Sequence, residues 1–273
     1  MRSIELPRLL VLCAALLAVT APAAAEQQKP FEPTPGQPGK DVVWVPTPEV
    51  LVEKMLDMAQ VTKQDFVMDL GSGDGRNIIA AAKRGARAVG VEYNPDMVAL
   101  SRRKAQEAGV ADRATFIEGD MYTADISKAT VLALFLLPTN LDKLKDNFLA
   151  LPPGTRIVLN TFGVTGWEAD VTETVGGDCT SWCTAMLLYV PARVAGAWQM
   201  ADGELQFSQD FQKTTGTLMT GGKSAAFTDG RLRGDAITFT VDGTQYSGRV
   251  KGNTMEGTAV SGGTKRAWRA TRK

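Results

Sequence analysis

The chain has 273 residues, 44% of them hydrophobic, which is enough to bury a sizeable core and to divide into two domains. Its 30 basic and 30 acidic side chains balance overall, but residues 26–192 carry 16 basic and 22 acidic residues, whereas residues 193–273 carry 12 and 7. Histidine is absent, which excludes Ser-His and Cys-His nucleophile pairs and every histidine-ligated metal site, so no metal is expected.

The N-terminus has the pattern of an export signal. Arg2 and Arg8 flank a charged start, residues 9–19 are almost wholly apolar, and Ala23-Ala24-Ala25 fits a small-residue cleavage site. The expectation is a signal peptide over 1–25, cut after Ala25, and a periplasmic mature chain. An uncleaved N-terminal anchor is the alternative, although the apolar run is short for a membrane span. Residues 26–40, with Pro30, Pro33, Pro35 and Pro38, are expected to form an extended linker. Cys13 falls in the discarded segment. The two cysteines that remain, Cys179 and Cys183, are expected to close a small disulfide loop in an exported protein; free thiols are the alternative.

From Asp41 onward, strand and helix patterns alternate. Pro48 opens a helix with Val50, Leu51, Met55, Leu56 and Met58 on one face. Val67-Met68-Asp69-Leu70 is a short apolar strand that runs into Gly71-Ser72-Gly73-Asp74-Gly75, and a helix follows over 78–83. Glycines there let the backbone come close to a ligand. A dinucleotide fingerprint needs glycine at the position of Arg76, and an acid opens this motif instead. A pyrophosphate would sit poorly beside Asp69 and Asp74, whereas a cationic sulfonium and amino group would be attracted. The stretch therefore favours S-adenosylmethionine over NAD. A second strand over 88–91 ends at Glu92, placed to accept hydrogen bonds from ribose hydroxyls. Asn94-Pro95-Asp96 starts a helix to about Ala108, which Gly109 stops. Further strands are expected over 115–117, 130–136 and 156–159, with Pro138 breaking the middle one ahead of a helix over 141–149. The alternation predicts an α/β fold with a doubly wound parallel sheet and ligands at the strands' C-terminal ends.

Asp69-Leu70-Gly71-Ser72-Gly73-Asp74-Gly75-Arg76, Gly90-Val91-Glu92 and Gly119-Asp120-Met121 resemble the successive motifs of class I, seven-stranded SAM-dependent methyltransferases. The resemblance covers residues 42–190. Trp44-Val45-Pro46-Thr47-Pro48-Glu49 and the run from Thr130 to Pro138 are similar to a bacterial group related to the ATP synthase c-subunit type protein lysine methyltransferases. The resemblance implies a Rossmann-like methyltransferase domain over 41–192 that ends in an antiparallel strand pair, with Cys179 and Cys183 in its hairpin. It implies that Asp69, Gly71, Ser72, Gly73, Asp74 and Gly75 shape the pocket for the methionine end of the cofactor. Glu92 would hold the ribose, Tyr93 and Met121 would lie against the adenine, and Asp120 would accept from the adenine amino group. Thr47 and Pro138 would line the acceptor site, although Thr47 could instead cap the helix begun at Pro48, and Tyr93 and Met121 could be packing residues. Phe135-Leu136-Leu137-Pro138 stands where many amide and nucleobase methyltransferases carry Asn/Asp-Pro-Pro-Tyr. Without a polar side chain there, an amine acceptor is favoured, and no residue is identified as a base.

Residues 193–273 change pattern. Leu205, Phe207 and Phe211, then Ile237, Phe239 and Val241, alternate at period two between Asp-Gly and Gly-Gly turns, and the sequence at Gly230 recurs weakly at Gly248. This predicts a small antiparallel all-β domain, a meander or barrel opened near Trp198 and closed near Trp268. Its basic residues are scattered with few aromatics among them, so no nucleic acid partner is expected. The reading is an exported methyltransferase acting on an amine, foremost a protein lysine. A non-catalytic SAM-binding module and a small-molecule methyltransferase are the alternatives.

Overall fold

The structure is a computed structural model that describes residues 31–177 and 179–273. The signal segment expected over 1–25 lies outside the described residues. Among these residues no helix is long and apolar enough to cross a membrane.

Helix α1 (Glu49–Met58) precedes strand β1 (Phe66–Leu70), then α2 (Arg76–Lys83), β2 (Arg87–Glu92), α3 (Pro95–Glu107) and β3 (Ala114–Glu118). There follow β4 (Val131–Leu134), α4 (Pro138–Ala150), β5 (Arg156–Asn160), β6 (Val171–Thr174) and β7 (Thr184–Tyr189). The seven strands form one sheet in the order β3-β2-β1-β4-β5-β7-β6, with β7 antiparallel to both neighbours. The order reverses at β1, between β2 and β4, and such a switch point is where open α/β sheets bind ligands.

Successive strand residues face opposite sides, and each side has its own core. Val67, Ala88, Val131, Ala133 and Val158 pack with α1, α2 and α3, while Met68, Leu70, Leu132, Leu134 and Ile157 pack with Leu141, Leu144 and Phe148 of α4. That is why β4 is apolar at every position: it is buried on both faces. Asn94 caps α3, its side-chain oxygen accepting from the Asp96 and Met97 N–H groups.

Three expectations shift. In α1, Val50 is 47% exposed and Val52 takes its place in the core, because α1 buries the stripe Leu51, Val52, Met55 and Leu56. Strand β4 stops at Leu134, and Phe135, Leu136 and Leu137 form a loop. Pro138 begins α4 rather than preceding it at a distance, as its missing N–H and fixed φ allow at a first helical position. The segment expected as linker also differs, since residues 36–44 double back: Gly36 N–H donates to Trp44 O (2.8 Å) and Trp44 N–H to Gln37 O (2.9 Å).

Strands β8 (Gly196–Met200), β9 (Gly203–Asp210), β10 (Lys213–Thr220), β11 (Lys223–Arg233), β12 (Ala236–Val241), β13 (Thr244–Lys251), β14 (Thr254–Ser261) and β15 (Thr264–Arg272) close into an antiparallel barrel, β15 pairing β8. Closure removes the free edges that a meander would leave. Phe207, Phe227, Phe239, Tyr246 and Trp268 fill it, their ring centroids 4.7–5.8 Å apart. Phe211 departs from the alternation. It sits in the β9–β10 turn with φ +49° and stacks on Trp167 below the sheet (5.2 Å, 13°). Arg231 reaches the Asp170 carboxylate (3.3 Å), and Arg233 lies over the Tyr189 ring (4.5 Å). Residues Glu32–Lys273 thus pack as one unit.

Candidate active site

Loops at the C-terminal ends of β1, β2, β3, β4 and β5 surround one cavity of about 320 Å³, within the range of small-molecule sites. Gly71, Glu92, Tyr93, Asp120 and Met121 line it, as do Lys40 and Trp44 of the doubled-back segment. Phe135, Leu136, Leu137, Phe162 and Trp182 close the other part of its wall.

The glycine loop is shaped by close contacts with neighbouring rings. Gly73 has φ +53°, and a Cβ there would lie 2.6 Å from Trp44 Nε1. Gly75 has φ +79° and lies against the Phe116 ring. A side chain at either place would strain the backbone and push these rings away. The Ser101 hydroxyl donates to Gly73 O (2.9 Å), tying the loop to α3.

Glu92 holds the loop from the cavity side. Gly73 N–H donates to its Oε2 (2.8 Å) and Asn94 N–H to its Oε1 (2.9 Å). An ionised carboxylate has about four acceptor positions, so these two bonds leave capacity for a ribose diol. Asp120 Oδ1 accepts from Tyr122 N–H (2.9 Å) and Oδ2 from Lys40 Nζ (2.6 Å). The Lys40 hydrogen bond holds the Asp120 carboxyl below its usual range and, reciprocally, holds the Lys40 ammonium above its own. Lys40 Nζ also lies 5.0 Å from the Tyr93 ring centroid. A carboxylate at each of two strand ends, glycine backbone between them and an aromatic face suit the ribose and base of S-adenosylmethionine.

The other two motif acids do different work. Asp74 is buried and bound by Arg76 (2.8 Å) and Lys104 (2.7 Å). Burial pushes its carboxyl up, but the two cations outweigh this and hold it below the usual range. Asp69 is buried beneath the loop, where Asn77 Nδ2 donates to its Oδ2 (3.0 Å). Burial and the neighbouring acids push its carboxyl well above the usual range. Neither lines the cavity. The acids on the cavity wall are instead Glu92, Asp120 and Asp41, the last two both paired with Lys40.

The sequence model of the ANTKMT methyltransferase domain matches residues 69–171, the strand-and-helix stretch that carries this loop and both strand-end acids. A protein-lysine N-methyltransferase of Saccharolobus islandicus is 43% identical over 130 residues, which are 46% of this chain and 81% of that protein. The chain belongs to this methyltransferase family. The mouse lysine N-methyltransferase named for the ATP synthase c-subunit is 35% identical over 144 residues, 52% of this chain and 58% of its own length. Among solved structures, one titled an RNA methyltransferase from Salinibacter ruber, in complex with S-adenosyl-L-homocysteine, is 43% identical. It covers 55% of this chain and 96% of its own, with a TM-score of 0.51.

Five of the ten residues expected at the cofactor line the methyltransferase's cavity, namely Gly71, Glu92, Tyr93, Asp120 and Met121; Asp69, Ser72, Gly73, Asp74 and Gly75 form the loop behind it. The two residues expected at the acceptor site do not reach the cavity. Thr47 is buried, accepting from Asn160 Nδ2 (3.3 Å), and makes no cap to α1. Pro138 is exposed at the start of α4, and Leu137 before it lines the wall. Cys179 and Cys183 are joined in a disulfide between β6 and β7. Sequence reasoning missed Lys40, Trp44, Phe162 and Trp182. Phe135 stands one residue and Phe162 two residues after strands whose C-terminal ends form the site, and that position was the available signal.

Proposed function

We propose that this methyltransferase transfers a methyl group from S-adenosylmethionine to the side-chain amine of a protein lysine, and that it does so after export. The observation that carries the reading is the acceptor side of the cavity, where Phe135, Leu136, Leu137, Phe162 and Trp182 supply no carboxylate, amide or hydroxyl side chain. An amide or nucleobase nitrogen needs a polar partner to become nucleophilic, whereas an amine needs only to lose its proton. Apolar surroundings favour its neutral form. The names of the archaeal and mouse relatives point the same way. The signal-like N-terminus and the Cys179–Cys183 disulfide support an oxidising compartment.

Bound in the cavity, S-adenosylmethionine supplies a methyl group made electrophilic by its sulfonium. Glu92 would hold the ribose hydroxyls and Asp120 would accept from the adenine amino group, for which Lys40 must share the carboxylate or move aside. The apolar wall excludes water and orients the amine, and positioning of this kind supplies much of the rate enhancement in bimolecular transfers.

The test is transfer from methyl-labelled S-adenosylmethionine, using the purified chain and an extract of periplasmic and membrane proteins. Label is expected in protein and, after hydrolysis, in methylated lysine. Label confined to organic-soluble material or to added RNA would overturn the protein acceptor. N-terminal sequencing of the mature protein should begin at Glu26, and a start at Met1 would overturn cleavage.

A further inference from the structure

Three aromatic rings from separate stretches meet at one edge of the cavity. Phe135 follows β4, Phe162 follows β5 and Trp182 precedes β7. Phe135 and Phe162 lie near parallel at 6.3 Å, and Trp182 tilts against them at 5.9 and 5.4 Å. At these separations the rings touch and make a continuous wall.

Trp182 is not placed as a packing residue would be. It is 40% exposed, whereas Trp167, Trp198 and Trp268 are each at most 5% exposed. Its φ of +58° lies in the left-handed region, which is costly for a bulky side chain. The surrounding structure imposes that conformation. The Cys179–Cys183 bond closes a loop around it, and Val175 N–H donates to Cys183 O (2.8 Å), fastening the loop to the β6–β7 hairpin. Strained residues held by over-determined surroundings cluster at ligand sites.

We propose that Phe135, Phe162 and Trp182 recognise the alkylammonium end of the acceptor, a lysine side chain that already carries methyl groups, and that the Cys179–Cys183 disulfide positions Trp182 for this. The proposal rests on the amine acceptor argued above. An aromatic face attracts a cation through its quadrupole and does little for a neutral amine. The acceptor docks as its alkylammonium and must then lose a proton to solvent. As the new N–C bond forms, the bond from the methyl carbon to sulfur breaks, S-adenosylhomocysteine leaves as a neutral thioether and the nitrogen is positive again. The attraction thus acts on the docked cation, the transition state and the product rather than on the neutral amine between them. An unmethylated ammonium has three N–H donors and finds no side-chain acceptor on this wall. Each added methyl removes one such donor and adds apolar surface, which makes the charged group easier to take from water. The wall therefore favours acceptors with more methyl groups.

The experiment titrates the full chain, saturated with S-adenosylhomocysteine, with two probes by calorimetry. One is the amide of Nε-trimethyl-lysine. The other is its neutral analogue, with a tert-butyl group in place of the trimethylammonium. The charged probe should bind about tenfold tighter or better. Trp182→Ala should abolish that preference and Trp182→Phe should restore most of it. The Cys179→Ser/Cys183→Ser double variant should lose the preference to the same extent, with its thermal melt showing that it is folded. Equal binding of the two probes would overturn recognition of charge. A preference that survives Trp182→Ala would overturn the role of Trp182, and one that survives in the double variant would overturn that of the disulfide. No methyl group is transferred in these titrations. A charge preference with no labelled lysine would thus count against the acceptor alone, and labelled lysine without a preference against the wall alone.

Discussion

Glu92→Gln separates the two jobs that Glu92 performs. The carboxylate receives Gly73 N–H on one oxygen and Asn94 N–H on the other. Glutamine keeps one acceptor oxygen and replaces the other with a donor, so one of these N–H groups loses its partner. A partly buried donor left unpaired costs about 1–3 kcal/mol. On the cavity side, one ribose hydroxyl loses its charged acceptor but can turn to accept from the new amide, which limits that loss to about 1 kcal/mol. The first cost falls on the free protein and the second on the complex, and a loosened loop must also be reordered on binding. Only the second cost and the reordering act on the affinity, and they should weaken S-adenosylmethionine binding by about 1–2 kcal/mol, roughly 5- to 30-fold. Calorimetry at neutral pH measures this, with the thermal melt of the ligand-free variant reporting the loop term separately. An affinity within twofold of the parent chain would refute the reasoning and move the ribose contact elsewhere.

Asp74→Asn strips Arg76 and Lys104 of their shared carboxylate. Removing a fully buried partner costs about 3–5 kcal/mol, but the two cations keep 27% and 39% of their side-chain exposure, so about 2 kcal/mol is expected, or a melting point about 4–8 °C lower. Because the folded carboxyl is held below its unfolded value, its contribution is complete above about pH 4 and fades as the pH falls through the lowered pKa. The gap between parent and variant in chemical denaturation should close in that acid window; a gap that grows on acidification would contradict the pairing. Phe211→Ala removes the ring stacked on Trp167, and should cost about 1–3 kcal/mol and split the melting transition as the barrel loses its seat. A single unshifted transition would show that the remaining contacts suffice.

Much of the fold was legible in local pattern. A buried parallel strand is apolar throughout, as β4 is, and a strand-turn-helix that must pass close to a ligand needs glycine where φ is positive. The doubly wound topology then carries all strand ends to one side, so Glu92 and Asp120 could be assigned to a common site without any knowledge of their contacts. The strand pair that ends the sheet and the disulfide in its hairpin followed from family resemblance rather than from periodicity.

Other features were decided only in three dimensions. Asp74 looks like a ligand acid in sequence, yet Lys104, thirty residues on, turns toward it and neutralises it. Phe211 continues a period-two run, but the chain turns there and its ring faces Trp167 instead of the barrel interior. A proline-rich stretch expected as linker folds back to bring Lys40 onto Asp120 and Trp44 onto Gly73. The aromatic wall joins residues from three connections, 27 positions apart between Phe135 and Phe162 and 20 between Phe162 and Trp182. The physical reason is the same in each case. Periodicity and turn chemistry report whether a side chain is buried and how the backbone bends, both local properties, whereas the partner of a charge or ring is set by which distant segments the packed sheet brings together.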